Sequence, residues 1–306
     1  MNKFITKIVG FSIVLFLVLT VGILLPATPR ASKSLLFSKI QKDALLKNVE
    51  PPRIIFIGGS NLSFGLNSKM VKDSLGLNPV NTGIHASIGL IFMMNEALPY
   101  IRRGDIVVVA PEYDHFFGTF AYGKEELLRT IFDVDRSGYK NLKVRQVLNI
   151  IGFLPKYSLT KFNPLEYFDL DESDVYSVHS FNQYGDTYAH WGMQPQIFDA
   201  YKQITGDFND AVVEELVQFR VALEGKRAKL FMTYPGLQRV SFQNSIDQIN
   251  KVDEALKDKG FSILGTPERY IMEDSMLFNS PYHLTKKGLD YRTKLFIEDY
   301  KKGTNN

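Results

Sequence analysis

The chain has 306 residues, of which 45% are hydrophobic and 13% aromatic, enough for one large core or for a core with an insertion. It contains no cysteine, which excludes disulfides, a thiolate nucleophile and a cysteine-ligated zinc site. The net charge of +3 comes from the first 33 residues, which carry four basic residues and no acidic ones. The remainder is close to neutral, so the composition gives no sign of nucleic-acid binding.

An apolar run near the N-terminus, Ile8 to Leu25, follows a short basic segment and ends at Pro26. Its length is near the lower limit for a membrane-spanning helix. Two interpretations compete for residues 1–33, an uncleaved membrane anchor and a cleaved signal peptide. The segment Pro26 to Ala31 is a poor cleavage site, which favours the anchor, and the basic segment before the apolar run favours an extracytoplasmic domain. Residues 34–52 are predicted to form a linker helix that ends before Pro51-Pro52.

The predicted catalytic domain, residues 53–306, opens with the stretch RIIFIGGSNLSFG. Ile54 to Ile57 is typical of a strand buried on both faces, and Gly58 and Gly59 allow a sharp turn after it. Ser60 is therefore expected at the carboxyl end of a central strand, the edge where open α/β sheets bind ligands. Its hydroxyl is either a nucleophile or the cap of a following helix.

Strand and helix patterns then alternate, which predicts an α/β fold with a parallel sheet. The strands are expected at Pro79 to Asn81, Ile106 to Ala110, Ala228 to Thr233 and Phe261 to Leu264. The helices are expected at Asn67 to Leu75, Ile88 to Ile101, Phe208 to Leu223, Ser245 to Lys257 and Thr285 to Tyr300. Residues 116–206 interrupt the alternation with an aromatic-rich insertion, which suits either a lid over the active-site edge or a satellite core.

A second segment, FNSPYHLTKKGLDYRT, places His283 just before the last predicted helix. Serine is a weak nucleophile and needs a base beside it, usually histidine. The Ser60 and His283 segments together resemble the SGNH/GDSL hydrolase superfamily. The spacing around Tyr282-His283-Leu284 is similar to the branch that acylates cell-surface polysaccharides, such as the accessory proteins of alginate acetylation and teichoic-acid D-alanylation.

This resemblance implies a three-layer α/β/α sandwich with a flavodoxin-like parallel sheet. It also implies a nucleophile at Ser60, a base at His283, and an oxyanion hole formed by the N–H groups of Ser60 and Gly83. The superfamily's third oxyanion donor is an asparagine that this chain lacks, and Asn61 is a possible replacement. Tyr113 and Trp191 are candidates for substrate contact, because aromatic faces suit sugar rings.

The resemblance implies acyl transfer, either to water as an esterase or to a hydroxyl of a cell-surface polysaccharide or glycan as an acyltransferase. The implied partner is a multi-spanning membrane O-acyltransferase that supplies the acyl group. No cofactor is expected. The histidines at 115, 179 and 190 match no common metal-ligand spacing, and no nucleotide-binding glycine motif or Walker lysine follows Ser60.

One departure qualifies this hypothesis, because Asn279 stands where the branch has an aspartate four residues before the histidine. Asparagine can orient an imidazole but cannot stabilise its positive charge. Three interpretations follow. Asn279 orients His283 in a slower enzyme, Asp274 reaches His283 instead, or the protein is a catalytically weak relative that binds a polymer or a membrane acyltransferase.

Overall fold

The computed structural model describes residues 2–168 and 171–304, and within these residues it contains nine β-strands. They are β1 (Arg53–Gly58), β2 (Asn78–Asn81), β3 (Ile106–Ala110), β4 (Lys229–Thr233), β5 (Leu237–Gln238), β6 (Ile263–Leu264), β7 (Ile271–Met272), β8 (Leu277–Ser280) and β9 (His283–Leu284). Five of them form one sheet in the order β2-β1-β3-β4-β6. Every pairing in this sheet is parallel, which confirms the predicted α/β class.

The register of the sheet brings the predicted site segments together. Gly58 at the end of β1 pairs with Ala110 at the end of β3, and Phe56 pairs with Asn81 at the end of β2. The residues that follow these three strands therefore meet at one edge of the sheet.

The strands are continuously apolar because both faces of the sheet are covered. Ile55 and Ile57 belong to one large buried cluster, together with residues from helices that follow β2 and β3. Ile54 and Phe56 belong to a second buried cluster on the opposite face, which includes Phe296 near the C-terminus. Successive side chains of a strand point to opposite faces of the sheet. A strand that is covered on both faces therefore has apolar residues at successive positions.

Fourteen α-helices accompany the strands in the described residues. They are α1 (Asn2–Leu24), α2 (Pro29–Ser32), α3 (Ser38–Asn48), α4 (Ser60–Ser63), α5 (Ser68–Leu75), α6 (Leu90–Ala97), α7 (Glu125–Arg129), α8 (Val144–Ile150), α9 (Leu154–Thr160), α10 (Leu165–Phe168), α11 (Asp210–Gly225), α12 (Arg239–Asn244), α13 (Ile246–Asp258) and α14 (Lys286–Thr304). Between β3 and α11 the helices are short and are joined by 3-10 and π turns, so the regular alternation is absent there.

The helix boundaries differ slightly from the predicted ones. Helix α11 ends at Gly225 and not at Leu223, and α14 continues past Tyr300 to Thr304. Thr285 lies just before α14, and its Oγ1 accepts a hydrogen bond from the Gly288 N–H at 3.2 Å.

A buried ion pair joins the starts of β1 and β3. Arg53 donates from Nε to Asp105 Oδ1 at 2.9 Å, and both side chains are shielded from solvent. The remaining guanidinium donors of Arg53 bond the carbonyls of Leu46 and Tyr100 at 2.7 and 2.8 Å. Because Leu46 lies in the last turn of α3, these bonds also attach the end of α3 to the sheet.

The segment Asn182 to Asp186 connects the insertion to the site edge. Asp186 accepts hydrogen bonds from the Ser68 N–H at 2.8 Å and from Asn81 Nδ2 at 2.9 Å. Gly185 has a φ of +92°, and a Cβ there would lie 2.2 Å from the Asn81 carbonyl oxygen. The Lys42 ammonium from α3 donates to the carbonyls of Asn81 at 3.2 Å and of Gly185 at 2.6 Å. This motif is therefore structural, and it holds the loop after β2 in place.

Helix α1 has 23 residues, and its apolar side chains are almost all exposed. The stretch Lys3–Ser32 that contains it is long and apolar enough to cross a membrane. Its last turns pack against α9, where Ser158 Oγ donates to the Leu19 carbonyl at 2.7 Å. The end of the apolar helix is thus fixed to the domain by specific contacts.

Candidate active site

Ser60 is the first residue of α4, directly after the turn that follows β1. Gly59 occupies the N-cap position, and no side chain caps this helix. The interpretation of Ser60 as a helix cap is therefore wrong, and Asn67 instead caps α5 by accepting from the Met70 N–H. The Ser60 side chain is half-buried and available for another role.

The Ser60 hydroxyl bonds to Glu112, which follows β3. Ser60 Oγ donates to Glu112 Oε1 at 3.3 Å, and the Asn61 N–H donates to the same oxygen at 3.3 Å. The close approach requires a glycine at position 59, because a Cβ there would lie 2.9 Å from Glu112 Oε1. One carboxyl oxygen of Glu112 thus accepts two hydrogen bonds directly beside the serine.

Two of the expected oxyanion groups are already engaged. The Gly83 N–H donates to Asn81 Oδ1 at 3.0 Å, so it does not point into an open hole. The Asn61 side chain accepts from the Gly59 N–H at 3.1 Å and donates to the Ala110 carbonyl at 2.9 Å, so its amide holds the turn. The backbone N–H of Asn61 is also engaged, since it donates to the same Glu112 oxygen as the Ser60 hydroxyl.

His283 lies in β9, next to α4, and its ring stacks on Phe64 with centroids 4.1 Å apart. His283 Nδ1 lies 2.8 Å from Asn279 Oδ1. An amide oxygen only accepts, so the proton is on Nδ1 and Nε2 is left as the basic nitrogen. Asn279 Nδ2 in turn donates to the Tyr176 hydroxyl at 2.8 Å, and that hydroxyl lies 3.3 Å from His283 Nδ1. Asn279 therefore orients the imidazole as the sequence hypothesis requires.

No hydrogen bond joins Ser60 to His283 among the described residues, and none joins a carboxylate to His283. Asp274, the alternative carboxylate, accepts from Gln238 Nε2 at 2.9 Å and stays on the surface. The hypothesis that Asp274 replaces the missing aspartate is therefore wrong for this conformation.

Burial sets the protonation of the two central groups. Burial, with a smaller effect of the neighbouring His85 and His190, lowers the pKa of His283 to about 3. Burial, together with the nearby Asp114, raises the pKa of Glu112 to about 8. At neutral pH the imidazole and the Glu112 carboxyl are therefore both neutral.

Two cavities adjoin the pair. The first, called here the Tyr176 cavity, has a volume of about 430 Å³ and is lined by residues 30–37, His85, Glu126, Arg129 and Tyr176, among others. The second, the Tyr201 cavity, has a volume of about 330 Å³ and is lined by Glu112, Asp114, Phe120, Lys124 and Tyr201, among others. Neither Ser60 nor His283 lines either cavity, but Tyr176 and Glu112, which contact His283 and Ser60, line one cavity each.

The two aromatic residues expected to contact substrate lie elsewhere. Tyr113 is only 1% exposed and stacks on Tyr234 in the core. Trp191 lies against the Lys286 ammonium, 5.0 Å from the ring centroid, and lines neither cavity. Tyr113 begins the 3-10 turn Tyr113–Phe116 that follows β3, and in this turn its ring packs into the core while Glu112 faces Ser60.

Neither Glu112 nor Tyr176 was expected to contact the predicted site residues. The position of Glu112 immediately after β3, beside β1, was a usable signal, since parallel neighbours end at the same edge. Tyr176 carried no such signal, because it comes from the insertion, more than 100 residues from its partners Asn279 and His283 in the chain.

A scan against protein-family models found no match to this chain, and a search of curated proteins found none either. The fold and site therefore define only an α/β protein with a parallel five-stranded sheet, a serine at the carboxyl edge of that sheet and a nearby neutral histidine.

Proposed function

We propose that this chain is a membrane-anchored serine-dependent O-acyl esterase or acyltransferase of the SGNH type, with a three-layer α/β/α sandwich. The observation that carries the proposal is the state of His283. Asn279 accepts the Nδ1 proton, which leaves Nε2 as the basic nitrogen. His283 lies in β9, and β9 packs beside α4, the helix that begins with the half-buried Ser60. A neutral histidine in this tautomer is what a serine nucleophile requires.

In the proposed reaction the Ser60 hydroxyl leaves Glu112 and attacks the ester carbonyl while His283 takes its proton. The carbonyl oxygen then accepts the Asn61 N–H that Glu112 occupies in the free protein. The acyl-serine formed in this step is released by water or by a hydroxyl of a glycan. His283 returns the proton to the first leaving group and activates the second nucleophile.

The proposed substrate is a cell-surface polysaccharide or glycan, and the proposed acyl supplier is a multi-spanning membrane O-acyltransferase. The charged lining of the Tyr176 cavity, which includes Arg129 and Glu126, suits a polar substrate more than a lipid chain. An extracytoplasmic position of the domain, with α1 retained as its anchor, completes this proposal.

A second candidate function is binding without turnover. It is favoured by one observation, that Ser60 bonds to Glu112 while no carboxylate supports His283. On this view the protein would hold a polymer, or the membrane acyltransferase itself, at the same edge.

Hydrolysis of p-nitrophenyl acetate by the full chain in detergent separates the two functions. Catalysis predicts that Ser60→Ala and His283→Ala both reduce the rate to background, and that a fluorophosphonate labels Ser60. Ser275→Ala and His179→Ala, at exposed positions, are the matched controls and keep the wild-type rate. Equal rates in all four variants, with no labelling of Ser60, would support the binding function.

A further inference from the structure

A second apolar surface lies in the insertion. It consists of large apolar side chains within a 21-residue stretch that are between 46% and 85% exposed, namely Leu148, Ile151, Leu159, Phe162, Leu165 and Phe168. We call these six residues the apolar patch. Single exposed apolar residues are ordinary, but a concentration of this kind marks an interaction surface.

The apolar patch lies beside the end of α1. Helix α9, which carries Leu159, packs directly on the last turns of α1. A Cβ on Gly22 would lie 2.0 Å from Ser158 Oγ, so the two helices touch at this glycine. Lys161 Nζ also donates to the Pro26 carbonyl at 3.0 Å, just after α1 ends. The contact spans Leu19 to Pro26, which is about 10 Å along the chain at helical rise.

The exposed apolar side chains favour a lipid surface more than the charge does. Residues 148–168, which contain the apolar patch, carry Lys156, Lys161 and Glu166, and the two lysines form ion pairs with Glu125 and Asp133. Interfacial helices combine exposed apolar side chains with lysine and arginine, and they bury their apolar face about 5–10 Å into the boundary between headgroups and acyl chains.

We propose that the apolar patch is embedded in the interface of the same bilayer that α1 crosses. The occupant of the patch is lipid, because α9 joins the patch to the end of α1, whose side chains are themselves exposed along the helix. This inference rests on the proposed membrane insertion of α1, and it does not depend on acyl transfer. The domain would then be held at two places, which fixes its orientation as well as its distance from the membrane.

The absence of cysteine allows a direct test, because each introduced cysteine is the only one in the chain. Leu148→Cys, Phe162→Cys and Phe168→Cys in the full chain are labelled with an environment-sensitive fluorophore. The proteins are reconstituted in phosphatidylcholine and phosphatidylglycerol vesicles that carry a doxyl quencher close to the headgroup. We expect a roughly twofold or larger loss of fluorescence at the three positions, since interfacial helices lie at this depth.

Three further positions make the result decisive. Val221→Cys and Tyr291→Cys are exposed positions outside the apolar patch and should not be quenched, whereas Val9→Cys within α1 reports insertion of the helix by deep quenchers. Quenching at Val9 without quenching in the patch overturns the inference and leaves the anchor intact. A blue shift in the patch without quenching means that a protein covers it, which also overturns the inference. No quenching at Val9 removes the anchor and the inference together, whatever the esterase assay shows.

A variant that introduces negative charges into the apolar patch provides the second readout. Leu148→Glu with Phe168→Glu, combined with a label at Leu159→Cys, should abolish the quenching at that label, because buried carboxylates are costly at the interface. Val221→Glu with the same label is the matched control and keeps the quenching. Equal quenching in both proteins would contradict the inference.

Discussion

Asn279 orients His283 through an uncharged contact. Its Oδ1 accepts the Nδ1 proton at 2.8 Å, which supplies the tautomer but no negative charge. Nothing charged therefore offsets the burial of the ring, and the pKa of His283 falls to about 3. A base with so low a pKa is weak at neutral pH, because general bases work best near the operating pH.

Replacement of this amide by a carboxylate should strengthen the base. In Asn279→Asp we expect the pKa of His283 to rise and kcat/KM for p-nitrophenyl acetate to increase by roughly 10²-fold, within the range of general-base effects. The pKa is measured by NMR titration of the His283 ring. Asn279→Ala, which removes the acceptor, should instead lower the rate. An unchanged pKa in Asn279→Asp would contradict this account.

Glu112 competes with the substrate for the donors beside Ser60. It accepts from both the Ser60 hydroxyl and the Asn61 N–H, and its pKa is raised to about 8. Below that pH the carboxyl is neutral and holds the two donors loosely. Above it the carboxylate holds them more tightly, because hydrogen bonds to charged acceptors are stronger.

The activity should therefore decrease at alkaline pH. We expect kcat/KM to fall roughly tenfold per pH unit above pH 8, as for loss of one essential proton. Glu112→Gln keeps the shape of the side chain but removes the group that titrates, so the variant should show no such decrease. The pH–rate profiles are measured with the Ser60→Ala rate subtracted. A parallel decrease in both proteins would show that another group titrates.

At the scale of elements, β1 is attached to the rest of the fold by Arg53. The side chain connects β1 to Asp105 before β3 and to the carbonyl that ends α3. A buried charge that loses its partner costs far more than the net contribution of the pair, because the remaining ion stays desolvated.

Asp105→Asn should accordingly destabilise the protein by about 3–5 kcal/mol. The free energy of unfolding is measured by urea denaturation in detergent. Asp73→Asn, which removes the exposed pair of Lys69 and Asp73 on α5, is the matched control and should cost less than about 0.5 kcal/mol. Similar losses in both variants would contradict the assigned role of the buried pair.

At the scale of the whole molecule, the sequence predicted the strands of the main sheet and their parallel arrangement, because both depend on local patterns of apolar residues. Five strands were located because runs such as Ile54 to Ile57 are apolar on both faces, and the parallel class followed from their alternation with helices. Contacts across the insertion could not be predicted. Tyr176 and Asn279 are more than 100 residues apart in the chain, and no periodicity in the sequence predicts a contact over that separation.

The fold also contains histidines that are buried without charge. Burial lowers the pKa of His190 to about 4, and its Nε2 lies 2.9 Å from the Leu284 carbonyl. The unfolded chain binds a proton near pH 6.5, so between pH 6.5 and 4 it holds one proton more at this residue than the folded chain. The contribution of His190 to stability is therefore lost as the pH falls through this window.

His190→Asn should remove that dependence while its amide keeps a donor for Leu284. The difference in unfolding free energy between wild type and variant should change by about 1.4 kcal/mol per pH unit between pH 6 and 4. It is measured by urea denaturation at several pH values. His179→Asn, at an exposed histidine, serves as control. A difference that stays constant with pH would contradict a neutral His190.

The chain that leaves α1 also builds a wall of the Tyr176 cavity, since residues 30–37 line it within a few positions of the helix end. With α1 in a bilayer, as proposed, the proposed nucleophile Ser60 would stay at a fixed distance from the membrane, because no flexible linker separates α1 from the domain in the described part of the chain. The distance between Ser60 and the membrane would then decide which substrate units it reaches. The protein would modify those units of a long polymer that pass close to the membrane and leave the distant units untouched, so the pattern of modification along the polymer would record the distance of each unit from the bilayer.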